Sequence, residues 1–320
     1  MTDPTATSSQ KGHPTLPRID AEDVAPGAVD DVVTPDGSRA EPGPRPRHVV
    51  RLPTITVVVP VRNAEDVLEA CLESVARQGP ASIIVVDGLS TDGTLELAER
   101  FADRILSDEG QGLPAARSIG ARAATTPLIA LVDADVILPD GSLAALLAEF
   151  ERDGYTALQA GLLSESGPGY WGQALAEHHR SGRSRYWFGL VATIFERAAL
   201  LEHGFDASFE SGEDIELRWR LAQAGEMAGV SRDVVVRHRF GDTFHFAMGQ
   251  FQADGRGLAR MVRKHGWRGA RLLLLPAAAG ARGIVLSVFR GQPRWIPYYY
   301  TFAFFNTTAM LRELMRRPRE

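Results

Sequence analysis

Leu128-Ile129-Ala130-Leu131-Val132-Asp133-Ala134-Asp135 decides how the rest of this 320-residue chain is read. Five apolar residues in a row suit a strand buried on both faces of a parallel sheet. The run then stops at two carboxylates one residue apart, at the carboxyl end of that strand. In open α/β sheets, ligands sit outside that edge. Carboxylates so close repel unless a cation or a hydrogen-bonded ligand compensates them. A hard divalent cation, Mg2+ or Mn2+, bridging to a phosphate meets that requirement. An isolated Asp-x-Asp is more often a strand end capping the next turn, so the neighbouring segments decide.

Upstream, 55–60 (ITVVVP) reads as a strand and 64–78 as a helix stopped by Gly79-Pro80. A second strand over 82–87 leads to a helix over 91–101. A short strand at 104–106 leads to a helix over 114–124. Strands alternating with helices of this length imply a Rossmann-like, mostly parallel α/β sheet with helices on both faces. Downstream, a strand at 154–163, a helix at 170–179, a helix at 213–224 ended by Gly225 and a strand at 233–236 are expected. From 246 the pattern is helical.

Composition sets the frame. Residues 1–50 are rich in Pro, Asp, Ser, Thr and Gly without apolar period and are expected to be disordered. An α/β domain over 51–245 and a basic, apolar helical region over 246–320 follow. Cys71 is the one cysteine, so no intramolecular disulfide can form, and its helical neighbours Leu68, Leu72 and Val75 suggest a packed thiol. The opening Met-Thr-Asp-Pro lacks the basic and apolar regions of a secretory signal, which points to the cytoplasm. The net charge of −5 hides an asymmetry: residues 256–320 carry +11 and the rest −16. An electrostatic partner follows, either nucleic acid or an anionic membrane.

Four segments at separate strand ends carry chemistry. They are Pro60-Val61-Arg62-Asn63 with Glu65; Asp87-Gly88-Leu89-Ser90-Thr91-Asp92-Gly93-Thr94; Gly112-Leu113-Pro114-Ala115-Ala116-Arg117 followed by Asp133-Ala134-Asp135; and Gly204-Phe205-Asp206 followed by Gly212-Glu213-Asp214-Ile215-Glu216-Leu217. In order and spacing they resemble the family 2 glycosyltransferases with the GT-A fold, over about 54–245. The resemblance implies an inverting transferase using a nucleotide-sugar donor, a hydroxyl acceptor and Mn2+ or Mg2+. It implies that Asp87 accepts a hydrogen bond from the base, with Pro60 and Glu65 shaping the same pocket. Asp133 would lie beside the ribose or donor sugar, Arg117 would reach the diphosphate, and Asp135 would ligate the metal, with His238 as a further ligand. Asp214 would be the general base, and Glu213 and Trp187 would lie on the acceptor side. Bland readings stand beside these: Asp87 as a turn residue, Arg117 as an exposed helical arginine, and Glu213-Asp214 as first-turn acids favoured by the helix dipole. Asp92 is assigned to capping.

Two departures qualify the match. The second segment reads Asp-Gly-Leu-Ser where many relatives carry Asp-Asp-Gly-Ser. The C-terminal half lacks the Gln-x-x-Arg-Trp of processive synthases, which favours transfer of single sugars. A rival from another enzyme class is a dehydrogenase, since Gly110-Gln111-Gly112-Leu113-Pro114-Ala115 matches G-x-G-x-x-A and Asp133 follows about twenty residues on. A weak third strand, rather than the first, precedes that match. A third reading is an inactive scaffold of the same fold, against which the set Asp87, Asp133, Asp135 and Asp214 argues.

The apolar stretches 272–288 and 295–311 are each interrupted or short of the roughly 20 residues that span a bilayer. Their flanking arginines and Trp/Tyr edges suggest interfacial helices on an anionic leaflet, which would make the protein peripheral on the inner membrane face, with a lipid-linked acceptor. An oligomer interface, or helices packed on the catalytic domain, are the alternatives. Arginines interleaved with long apolar runs do not suit a nucleic-acid groove.

Overall fold

A computed structural model describes residues 52–180, 188–206, 208–209 and 211–316. The expected disordered segment 1–50 lies outside them. Strands are β1 (Leu52–Val61), β2 (Pro80–Asp87), β3 (Arg104–Ser107), β4 (Leu128–Val132), β5 (Val136–Ile137), β6 (Ala157–Ser166), β7 (Ala192–Glu196) and β8 (Ala228–Phe240). Helices are α1 (Glu65–Ala76), α2 (Thr94–Glu99), α3 (Leu113–Ala123), α4 (Ser142–Asp153), α5 (Tyr170–Arg180), α6 (Arg197–His203), α7 (Glu213–Ala224), α8 (Phe244–His265), α9 (Leu275–Phe289) and α10 (Ile296–Met315).

The strands form one sheet in the order β3-β2-β1-β4-β7-β6-β8-β5. β3, β2, β1 and β4 are mutually parallel, as the alternating pattern requires, so their carboxyl ends share one edge. β7 enters antiparallel between β4 and β6, and β8 runs parallel to β6. β1 is buried without a break from Ile55 onward because both faces are covered. Val57 and Val59 pack with Leu68, Cys71 and Leu72 of α1, whereas Val58 points to Ala116 and Ala121 of α3. That odd–even division follows from the two-residue period of a strand. Cys71 is fully buried, and burial pushes its thiol far above the usual range, as expected of a packed core cysteine.

β5, α4, β7 and α6 have no counterpart in the sequence expectations. β5 has two residues, β7 five and α6 seven, too short for periodicity to stand out. β8 runs well beyond the expected 233–236 because β6 supplies a partner along most of its length.

The C-terminal helices divide. α8 and α10 pack through Ala247, Phe251, Tyr298 and Tyr299 against Ala174 and Leu175 of α5. α9 packs on α10 only because Gly283 has no side chain: a methyl group there would come 2.1 Å from the Tyr299 ring. The stretch Ala270–Phe289 is long and apolar enough to cross a membrane by length and composition, with mean hydropathy 1.9 and 22% of it buried. The sequence expectation reads no clean span there. In the structure its first five residues form a tight 3-10 turn, leaving 15 residues of α-helix. That helix is about 22 Å long, short of a ~30 Å hydrocarbon core.

Candidate functional site

The loops leaving β1 and β2 are clasped together at the carboxyl edge. The Asn63 N–H donates to Ser90 Oγ (2.9 Å), and Asn63 Oδ1 accepts the Thr91 N–H (2.8 Å). Glu65 accepts the Gly93 N–H (3.1 Å), while Asp92 accepts the N–H groups of Glu65 and Thr94 (both 3.2 Å). Asp92 therefore caps, as expected. Glu65 thereby ties the two loops together. Pro60 is buried near the end of β1, opposite Val86 of β2. Asp87, the last residue of β2, is buried and accepts the Ser90 N–H at 3.1 Å. A carboxylate has about four acceptor positions, so this turn leaves some of them unused.

The G-x-G-x-x-A match has a different role from the one its pattern suggests. Asp108, buried after β3, accepts the N–H groups of Gly110 (2.8 Å) and Gly112 (2.9 Å). Those are the amides that a dinucleotide fingerprint would turn toward a pyrophosphate. An internal carboxylate holds them, and the dehydrogenase reading loses its central contact.

Arg117 is not an exposed helical arginine: its guanidinium is 1% exposed and bridges two carboxylates. Nη2 donates to Asp133 Oδ1 and Nη1 to Glu213 Oε1, each at 2.8 Å. Burial works against its charge, but Asp133 and Glu213 outweigh this and raise its pKa. The reason lies in α3, whose Gly120 allows contact with Val58, drawing the helix onto the sheet and Arg117 inward. Asp133 thus belongs to a buried ion triad reaching from the end of β4 to the start of α7.

Asp135 and His238 do meet. Val136 of β5 pairs with His238 of β8, which brings His238 Nε2 to 3.3 Å from Asp135 Oδ2. The carboxylate oxygen suits Mn2+ or Mg2+, and the imidazole nitrogen beside it favours Mn2+, the softer of the two. Among the described residues no group of three or more His, Cys, Asp or Glu could hold a metal. Two protein donors fit a cation that takes its remaining ligands from phosphate oxygens and water.

α7 opens with the acidic pair. Gly212 precedes it with φ +80° and lies against Gly257 of α8, where a methyl group on Gly212 would stand 3.1 Å from Gly257 Cα. Glu213 is buried and spent on Arg117, whereas Asp214 is half-buried. Burial, then the Glu213 charge, push Asp214 up to about 7, against the Ile215 N–H and Arg117, which pull it down. A further carboxylate, absent from the sequence reading, also raises it: Asp254 of α8. Ser211 Oγ donates to the neighbouring Ala253 carbonyl (2.6 Å), fixing α8 over the start of α7. Asp254 is exposed at the surface, yet desolvation by the protein around it pushes its carboxyl up to about 7. Its signal in the sequence is Gly255 and Gly257 inside a helical run, since helix glycines mark close approach of another backbone. Trp187, expected on the acceptor side, lies outside the described residues.

Glu216 of α7 is fully buried and binds Arg220 (2.9 Å) and Lys264 (2.7 Å). Lys264 also reaches Asp206 (2.6 Å), so α8 holds the Gly204-Phe205-Asp206 turn and α7 together.

Comparison with known proteins bears on the fold and the family. Glycosyl transferase family 2 matches residues 56–206. An uncharacterized glycosyltransferase of Mycobacterium tuberculosis is 37% identical over 98 residues, 31% of this chain and 44% of that protein. A PGL/p-HBAD biosynthesis glycosyltransferase of Mycobacterium bovis is 36% identical over 106 residues, 31% of this chain and 41% of that protein. The chain thus spans less than half the length of these curated relatives. Among solved structures, the mannosyltransferase PcManGT from Pyrobaculum calidifontis in complex with GDP-Man and Mn2+ superposes with TM-score 0.58 at 20% identity, covering 85% of this chain and 91% of that one. That likeness establishes a GT-A fold. Residues 56–206 thus form a glycosyl transferase family 2 domain.

Proposed function

We propose that this protein moves one sugar, with inversion, from a nucleotide-diphosphate sugar to a hydroxyl acceptor, with a divalent cation held at Asp135 and His238. The observation that carries this reading is the buried Arg117. A single guanidinium ties Asp133 on the donor side to Glu213 beside Asp214, so both halves of a transfer site are set against one rigid tie. Relatives named as glycosyltransferases and a neighbour in complex with GDP-Man and Mn2+ support it.

Each residue has a task in this account. Asp87 takes the edge of the base, within walls set by Pro60 and Glu65. Asp133, fixed by Arg117, lines the ribose or sugar. A bound cation would offset charge developing on the departing diphosphate. Asp214 accepts the acceptor's hydroxyl proton as that oxygen bonds to the anomeric carbon and the bond to the diphosphate oxygen breaks. Its carboxyl near 7 sits where a general base is both available and strong enough at neutral pH. Glu213 orients it.

The region 246–320 is read as membrane-facing, on the cytoplasmic side. α9 turns Val285, Val288 and Phe289 outward, Leu274, Leu275 and Trp267 are exposed beside it, and the segment is strongly basic. Apolar side chains among arginines suit an anionic leaflet and would bring the active site to a lipid-linked acceptor. The catalytic domain would then comprise 51–245.

The test is acceptor-dependent release of nucleoside diphosphate from a panel of nucleotide sugars, with Mn2+ and bacterial lipid extract. Asp214→Asn is expected to lose about 10²–10⁴-fold in turnover while binding nucleotide as before. Unchanged turnover in that variant contradicts Asp214 as the base, whereas a wild type that binds nucleotide but releases no diphosphate from any donor would be a scaffold that binds without reacting.

A further inference from the structure

Leu89 adopts a backbone conformation that a leucine should avoid, with φ +62°. In the left-handed region a side chain's Cβ crowds the following carbonyl, at a cost of about 1–2 kcal/mol. The same conformation occurs at Leu190, φ +61°, but Leu190 is fully buried and its packing compensates. Leu89 is 56% exposed and has no such compensation. Glycine would fit the position without strain. Uncompensated strain at a ligand edge is a pointer to function.

The surroundings say which function. The turn cannot relax, because the Gly88 N–H donates to the Val61 carbonyl (2.8 Å), the Ser90 N–H to Asp87, and Asn63 holds Ser90 and Thr91. The leucine side chain reaches over the β3–α3 loop: a methyl group on Gly110 would lie 3.1 Å from Leu89 Cδ1. Leu89 therefore spans the opening between the Asp87 turn and the loop that Asp108 organises. It puts an aliphatic surface beside the carboxylate assigned to the base. Small-molecule sites combine a few placed polar groups with apolar walls in this way.

We infer that Leu89 packs against the planar face of the donor's nucleobase while Asp87 takes its edge, making Leu89 a determinant of nucleotide affinity. This rests on the nucleotide-sugar reading above, and supplies the apolar contact that reading lacks. The strain at Leu89 is then kept for binding, since it lowers stability without any internal packing in return.

The experiment is calorimetric titration of the full chain with UDP and with GDP, each with Mn2+, for wild type, Leu89→Gly and Leu89→Met, beside their melting temperatures. Leu89→Gly should bind the preferred nucleotide about tenfold more weakly and melt roughly 2–4 °C higher. Leu89→Met keeps an apolar side chain and should stay within about threefold of wild type. Two results overturn the inference: Leu89→Gly binding as tightly as wild type, or losing affinity while melting lower, which marks Leu89 as a prop for the loop. A wild type that binds neither nucleotide would instead sink the nucleotide-sugar reading, and this inference with it.

Discussion

Replacing Arg117 by methionine removes the guanidinium but keeps a long apolar stem in its place. The side chain is 1% exposed, and its two ion pairs are 2.8 Å long. Without it, Glu213 is left 8% exposed with no opposite charge, and Asp133, at 23%, recovers only part of its hydration. Breaking a buried pair by removing one partner costs about 3–5 kcal/mol. A loss of about 4 kcal/mol lies within the stability of an ordinary fold, so the variant should still fold. At roughly 2–4 °C per kcal/mol, its melting temperature should fall by about 8–16 °C. Urea titration reads this as a lower midpoint at constant slope. Adding Glu213→Gln removes the stranded charge and should recover about 2 kcal/mol. If Arg117→Met unfolds within about 1 kcal/mol of wild type and loses only nucleotide binding, Arg117 contacts the diphosphate and the buried triad does not hold the site.

Other consequences follow from single positions. Gly120→Ala would set a methyl group 2.2 Å from Val58 Cγ1, an overpacking that should cost about 1–3 kcal/mol in urea titrations; a neutral result would mean α3 does not seat on β1 as described. Asp214 holds a proton up to about pH 7 when folded but only to 3.8 when unfolded, so its contribution to stability is lost as pH rises between those values. Asp214→Asn should accordingly melt higher than wild type at pH 8 while losing turnover, and a lower melting temperature there would contradict the assigned desolvation. Asp254 raises Asp214, so Asp254→Asn should move the acidic limb of the kcat/KM profile to lower pH. An unmoved limb would remove Asp254 from the site.

The first half of the fold was legible because its signals are local and consistent. Leu128–Val132 is both apolar and bounded, and the structure ends the strand where the carboxylates begin. α7 likewise starts at Glu213 and ends before Gly225, where the sequence places both signals. Partners distant in sequence were harder to read. Nothing local to Arg117 reveals that Glu213, 96 residues away, shares its guanidinium. The same holds for Asp254, whose relevance depends on α8 crossing the start of α7. Asp135 and His238 were paired by resemblance, and the structure supplies the cause in the β5–β8 pairing. The glycine fingerprint is a decoy because the pattern records conformation, φ +76° and +93° at Gly110 and Gly112, and not what the amides bind.

The most direct test of the central claim is calorimetry of UDP and GDP with and without Mn2+, for wild type and Asp135→Ala. The account predicts that one nucleotide binds tightly with Mn2+, weakly without it, and equally weakly to Asp135→Ala with the metal present. Metal-independent binding, or an Asp135→Ala variant that binds as wild type does, would contradict a cation held at Asp135 and His238.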